Sequence, residues 1–283
     1  IGKMGEPIGR RLLAANHDLT VHNRTPERAA RLVEEGARPA SEPADVWEQA
    51  EVAITMITDD AALRAVTLGD GGVLAAAPSG RVLVDMSTVS VAASREVADA
   101  AGAAGVTSLR APVTGNPSVV EAGNLGIIVS GDEETVRRLE PLFRDIGANL
   151  FYVGPGEEAR VMKLALQVFI AGTAQLMAEA LVLGEANGLD RARMLEVLGA
   201  SAVGSPFVKY KTAALVADDY SSTFTSRAMF KDLSLILECA NAAAVPVPVS
   251  ALVQQLVLGC ISTGMGDDDF MALVPRLRRE AGL

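Results

Sequence analysis

The stretch EEARVMKLALQVFIAG, residues 157–172, separates two kinds of pattern in this chain. Before it, short apolar runs alternate with amphipathic ones; after it, the pattern is helical almost to the end. Between Val161 and Ala171 only Lys163 and Gln167 interrupt the apolar run. Residues four apart share one face of a helix. Val161, Met162, Leu164, Leu166, Val168 and Phe169 cover the rest of the circumference, as in a buried helix. An ammonium in such a place needs a partner, a substrate or a depressed pKa. Either Lys163 serves chemistry, or it snorkels to solvent with Gln167 at a rim position.

Upstream, the strand-like runs DLTVH (18–22), EVAITMI (51–57), RVLVDMS (81–87), VTSLRAPV (106–113), NLGIIVSG (124–131) and ANLFYVG (148–154) are separated by helical patterns. TPERAARLVEEG (25–36), DDAALRAVTLG (59–69), SVAASREVADAAGAAG (90–105) and DEETVRRLEPLFRDIG (132–147) are those helices. Thr25 followed by Pro26 reads as an N-cap with proline in the first turn. The alternation predicts α/β units on a mostly parallel sheet, with loops and ligands at its carboxyl edge. Downstream, one apolar helix from about 157 to 187 is followed by helices near 190–199, 205–217, 224–244, 248–263 and 268–280. The shift at GPGE (154–157) places an α/β domain over 1–154 and an all-α domain over 155–283.

The 283 residues are 49% apolar, with a net charge of -10 and a pI near 4.8. An acidic surface repels a phosphate backbone, so nucleic acid is a poor partner. Cys239 and Cys260 form no CxxC pair and read as small core hydrophobes. With only His17 and His22 beside them, a zinc site is not indicated. No run reaches the ~18 charge-free apolar residues of a membrane span. The simplest location is the cytoplasm.

The chain opens IGKMGEPIGRRLLAANHDLTVHNRT. Gly2 and Gly5 resemble the second and third glycines of a G-x-G-x-x-G turn, ahead of a helix from Met4 to Ala15. The first strand of such a unit would lie upstream, so a preceding segment of about five to ten residues is expected. Where an NAD site places a carboxylate, the next strand ends His22-Asn23-Arg24-Thr25. Arg24 suits a 2′-phosphate, with Asn23 and Thr25 as hydrogen-bonding neighbours. This favours NADP(H), with NAD(H) possible; the alternative is a solvated arginine.

Taken in order, IGKMG, VHNRT, EVAITMITD, VLVDMSTVS, RAPVTGNPSVVEAGNLGIIVSG, EARVMKLALQ and MFKDLSLILE resemble the β-hydroxyacid dehydrogenase family. That family includes 3-hydroxyisobutyrate dehydrogenases and glyoxylate and succinic semialdehyde reductases. The resemblance implies a Rossmann-like cofactor domain, a long interdomain helix and an all-helical domain that supports a homodimer or homotetramer. It implies oxidation of a small 3-hydroxy or related acid, or reduction of its semialdehyde or keto acid, with a carboxylate-bearing substrate. Lys163 takes the place of the catalytic lysine. Gln167 stands for the family's substrate-supporting asparagine. Thr114, Gly115 and Asn116 stand for the Ser-Gly-Gly turn that holds the substrate carboxylate. Lys231 matches the lysine of a Lys-Asp-Leu segment serving substrate and cofactor, and Asp232 orients that helix. Gly2, Lys3 and Met4, then Met56 and Ile57, match cofactor-lining segments, and Ser87 and Thr88 lie near nicotinamide and substrate. Arg110 departs from the family, where many members have aspartate.

Blander roles remain for several of these residues. Ser87 and Thr88 could cap the following helix, APVTGNPS could be a surface loop, and Lys231 a solvated lysine. An imine reductase of the same architecture is an alternative, though it usually lacks the lysine. A phosphogluconate-type decarboxylating enzyme would need a longer helical half. A catalytically silent interaction module that keeps the fold is the non-enzyme alternative.

Overall fold

A computed structural model describes residues 1–221 and 224–283. They form an N-terminal Rossmann-like α/β domain and an all-α C-terminal domain, connected by one long helix. By compactness the units are Ile1–Lys163 and Leu164–Leu283, so the first turns of that helix belong to the first unit.

In the first unit, α1 (Gly5–Ala14) leads to β1 (Thr20–Val21), α2 (Ala30–Glu34) and β2 (Arg38–Pro39). Then come β3 (Val52–Thr55), α3 (Asp60–Leu68), β4 (Val82–Asp85), α4 (Val91–Ala103) and β5 (Thr107–Arg110). β6 (Val113–Thr114), α5 (Pro117–Glu121), β7 (Gly126–Val129), α6 (Glu133–Arg138), α7 (Glu140–Ile146) and β8 (Asn149–Tyr152) complete it. The sequence pattern misses β2, α5 and a 3₁₀ turn at Pro43–Glu48, all too short to show a period. The helix expected over 25–36 is a 3₁₀ turn, Pro26–Ala29, running into α2, and the Thr25 side chain makes no capping bond. The helix expected over 132–147 is two helices, with Pro141 in the first turn of the second. Proline lacks the N–H needed to carry the helix through that point.

The pairing is parallel within β1–β2, β3–β4–β5 and β7–β8, and antiparallel only for β6 on β7. An isolated antiparallel bridge, Arg110 to Ser130, joins β5 to the end of β7. β4 shows why both faces are covered. Val82 and Val84 pack with Ile8, Leu12, Phe143 and Ile146, whereas Leu83 packs with Trp47, Leu63 and Val97. Successive strand residues point to opposite faces, so a strand buried on both sides is apolar throughout. Between the β1 and β3 edges lies an apolar cavity of about 430 Å³, lined by Ile8, Leu12, Val21, Ile54 and Leu142 among others.

The connecting helix is α8 (Glu158–Ala186). After it come α9 (Arg191–Ala200), α10 (Pro206–Val216), α11 (Ser226–Ala242), α12 (Pro248–Ser262) and α13 (Leu273–Glu280). Asp190, Ser205 and Thr225 cap three of them through their side chains. Leu164, Ala171, Ala174, Met177, Ala178 and Leu181 turn the inner face of α8 into the helical core. Cys260 lies in that core and Cys239 against it; both are free thiols, and burial pushes the Cys260 thiol up.

Not all of the apolar circumference of α8 packs within this chain. Phe169, Leu176 and Leu183 are 76%, 66% and 69% exposed, and their spacing of seven aligns them on one stripe. By length and composition α8 could also cross a membrane, a test that core helices of this kind pass too.

One charge pair lies deep in the helical unit. Lys211 Nζ meets both oxygens of Asp269 at 2.7 Å and sits 4.6 Å from the Phe270 ring centre. Asp269 also accepts from Met271 N–H at 3.0 Å. Lys211→Met leaves the Asp269 carboxylate buried without its counter-charge, and is expected to destabilise the protein by about 3–5 kcal/mol. The double variant Lys211→Met/Asp269→Leu should recover more than half of that loss. Denaturant unfolding of the two variants beside the parent checks both statements; an unchanged midpoint in Lys211→Met contradicts them.

Candidate active site

The N-terminus of α1 has an open approach. A Cβ added at Gly2 or Gly5 meets nothing within 4 Å. At Gly9 it would strike Leu32 at 2.7 Å, so that glycine serves helix packing. The protein's own packing therefore does not require Gly2 and Gly5 to be small, and the cradle suits a ligand that approaches the backbone. Met4 stands at the N-cap position and makes no side-chain cap. Asn23, past the end of β1, accepts from the Ile1 backbone nitrogen, which puts it beside the glycine turn. Its Nδ2 donates to Thr25 O at 2.7 Å. Arg24, Thr25 and Lys3 are exposed at this end of the sheet.

The carboxyl ends of β3 and β4 are tied together. Ser87 is buried, and its Oγ accepts from Ile57 N–H at 2.9 Å. Asp85 Oδ1 accepts from Thr55 Oγ1 at 2.7 Å and from Ser87 N–H at 3.2 Å. The cap of α4 is Ser90, whose Oγ accepts from Ala93 N–H at 3.0 Å, so Ser87 and Thr88 are not its caps. Ser87 instead joins the Met56-Ile57 segment to its own turn. Met56, Ile57 and Thr88 are partly exposed beside it.

APVTGNPS is not a loose loop. Thr114 ends β6, opposite Gly126 of β7. Gly115 has φ +139°, and a Cβ there would lie 2.9–3.2 Å from Leu125 and Val119, so this turn requires glycine. Asn116 caps α5: its Oδ1 accepts from Val119 N–H at 3.0 Å and from Ser118 Oγ at 2.7 Å. Its amide oxygen is thus engaged locally, which leaves the NH2 end as a donor. Arg110, just before this turn, is not a free cation. Its Nε and Nη2 donate to Glu157 Oε1 at 2.8 and 2.5 Å.

On α8, Lys163 is partly exposed and Gln167 is buried. Gln167 Nε2 donates to Asp232 Oδ2. A carboxylate only accepts, so the glutamine's oxygen must turn away from Asp232. Lys231 Nζ lies 2.7 Å from Asp232 Oδ1, so Gln167, Lys231 and Asp232 form one cluster in the helical unit. The structure thus groups Ile57 with Ser87, Asn23 with the glycine turn, and Gln167 with Lys231. Among the described residues no set of three His, Cys, Asp or Glu side chains is placed to hold a metal ion.

Sequence reasoning passed over Asp85, Glu157 and Arg160. Arg160 is buried and donates to Ser94, to Ser87 O and to Asp85. A charged residue at the start of the apolar run was its only signal, and helix periodicity does not say what lies opposite.

A family model described as the NAD binding domain of 6-phosphogluconate dehydrogenase matches residues 1–154. Another, described as NAD-binding of NADP-dependent 3-hydroxyisobutyrate dehydrogenase, matches residues 158–277. A 3-hydroxyisobutyrate dehydrogenase of Pseudomonas aeruginosa is 36% identical over 267 residues, covering 90% of this chain and 88% of that protein. Glyoxylate/succinic semialdehyde reductase 1 of Arabidopsis thaliana is 30% identical, covering 98% and 96%. The solved 3-hydroxyisobutyrate dehydrogenase of Mycobacterium tuberculosis with L-serine superposes with a TM-score of 0.86 at 26% identity, over 98% of this chain and 96% of that one. With both units matched and nearly the whole length aligned, the chain belongs to the 3-hydroxyisobutyrate dehydrogenase-related superfamily of NAD-binding oxidoreductases.

Proposed function

We propose that the protein interconverts a small 3-hydroxy or related hydroxy acid and its semialdehyde or keto acid, with Lys163 as general acid and base. The observation that carries this reading is a lysine on α8 one turn before a buried amide fixed by Asp232. A nicotinamide cofactor, when bound, supplies or accepts the hydride. The open cradle at Gly2 and Gly5 fits it, with Lys3 and Met4 in the same turn and Met56, Ile57 and Thr88 along the strand ends. Arg24, Asn23 and Thr25, with no carboxylate at the end of β1, support NADP(H) over NAD(H).

In the direction of reduction, the Lys163 ammonium stabilises negative charge growing on the substrate oxygen and donates its proton there. In oxidation the amine takes the hydroxyl proton. The Thr114-Gly115-Asn116 turn receives the substrate carboxylate through backbone N–H groups and the free donor end of Asn116. Ser87, Gln167 and Lys231 are proposed as further substrate contacts, with Lys231 also serving the cofactor. Because Gln167 presents an oxygen, it suits a donor: a hydroxyl or an ammonium.

The exposed Phe169, Leu176 and Leu183 stripe, with Gly172 open between its members, supports a second copy of this chain as partner. We place the protein in the cytoplasm, with a small-molecule substrate and neither nucleic acid nor a membrane as partner; two free thiols suit a reducing compartment.

Lys163→Met is expected to lower kcat by about 10²-fold or more, the scale of acid–base catalysis, with little change in cofactor affinity. Absorbance at 340 nm with semialdehydes, hydroxy acids and cyclic imines reads it, and turnover confined to the imines would favour an imine reductase instead. NADPH should bind more tightly than NADH, and Arg24→Ala should erase about tenfold to a hundredfold of that preference, the value of one charge-assisted contact. Equal affinities in the parent enzyme would remove the role given to Arg24. Light scattering should give at least a dimer, and Leu176→Glu should dissociate it. A monomeric parent would contradict the use of the stripe.

A further inference from the structure

Arg160 lies three residues before Lys163 on α8 and is 2% exposed. All three guanidinium nitrogens are held by groups of the first unit. Nε donates to Ser94 Oγ at 3.1 Å and Nη1 to Ser87 O at 2.6 Å. Nη2 donates to Asp85 O at 3.3 Å and to the Asp85 carboxylate. Asp85 is held in turn by Thr55 Oγ1 and Ser87 N–H, and Ser87 Oγ by Ile57 N–H. An unbroken chain of bonds therefore runs from the first turn of α8 to the carboxyl ends of β4 and β3.

Burial alone does not account for a charged pair here. Apolar residues of similar volume often serve as well or better for stability. What a guanidinium fork adds is direction. Its planar donors fix distance and rotation together, which a lysine cannot do. Three residues further along the helix is a rise of only about 4.5 Å. Rotation of α8 about its axis, or a slide along it, would displace Lys163 and break the fork at the same moment.

We infer that Arg160, with Asp85, is a positioning residue that holds Lys163 in register with the Ile57 and Ser87 turns. The inference rests on the catalytic role proposed above for Lys163. Neither Arg160 nor Asp85 touches substrate; each acts through the backbone it fixes.

The test compares Arg160→Lys and the double variant Asp85→Asn/Arg160→Met with the parent and with Lys163→Met. Melting temperature, cofactor affinity, kcat, KM and the pH profile of kcat are measured on each. The double variant leaves no uncompensated buried charge, so its melting temperature should stay near the parent's. Its kcat, and that of Arg160→Lys, should fall about 10- to 100-fold, the scale of a misplacement near 1 Å. Cofactor affinity should change by less than about threefold, and the pH at half-maximal kcat should move, because the lysine's surroundings change with its position. Loss of folded protein would lower the apparent kcat but move neither KM nor the pH profile. Parent-like kcat in a folded double variant overturns the inference, as does a loss of kcat that disappears when stability recovers. If Lys163→Met itself turns over like the parent, the role of Lys163 falls and this inference with it. If Lys163→Met is inactive while both Arg160 variants match the parent, only this inference falls.

Discussion

Among the described residues, the buried charges each meet a partner, and those partners fix their geometry. Arg160 meets Asp85, Arg110 meets Glu157, Lys211 meets Asp269, and Asp232 holds both Gln167 and Lys231. A charge taken out of water is costly unless paired and hydrogen-bonded. The pairs Arg160–Asp85, Arg110–Glu157, Lys211–Asp269 and Gln167–Asp232 therefore join elements distant in sequence and leave little freedom in how they meet. Two of the four fasten the start of α8 to the strand ends of the first unit, and a third occupies the helical unit one turn beyond Lys163 on α8.

This helix has three separate tasks on three faces. Small and branched apolar residues pack inward, a row of large apolar ones points outward, and Arg160, Lys163 and Gln167 form a short polar line near its start. Only a helix apolar over most of its circumference has room for both packing faces. Arg160 and Gln167 are thereby placed in surroundings poor in water, where a cation or an amide has more influence than at an open surface. Arg110 is neutralised by Glu157, so the neighbouring turn gains no uncompensated charge from it.

The division into α/β and helical parts was legible because both periodicities are long and clean. The six strand runs and the large helices appear within a few residues of where the patterns put them. What escaped were β2, α5 and the 3₁₀ turns, whose lengths carry no period. For α8, composition shows that a face is apolar without showing what covers it. At the site, glycines, the lysine and the Thr-Gly-Asn turn carry motifs, so they could be singled out. Asp85 and Arg160 carry none; they matter through partners far apart in the chain, and only the folded arrangement brings them together. Asn116 was singled out for substrate, but its oxygen belongs first to the α5 cap, a local competition that its position before a proline already hinted at.

The passage of α8 through both units changes where this protein can be divided. The composition breaks at Gly154, but the electrostatic closure of the first unit comes later, with Glu157 and Arg160. A fragment ending at the compositional break keeps every strand yet leaves Asp85 without its guanidinium and Arg110 without its carboxylate. A fragment carried through Lys163 retains both. During synthesis the same order applies: the sheet can form strand by strand, but its carboxyl edge is completed only by residues that belong, by pattern, to the next domain. The first unit thus has a boundary set by charge pairing rather than by the end of its last strand.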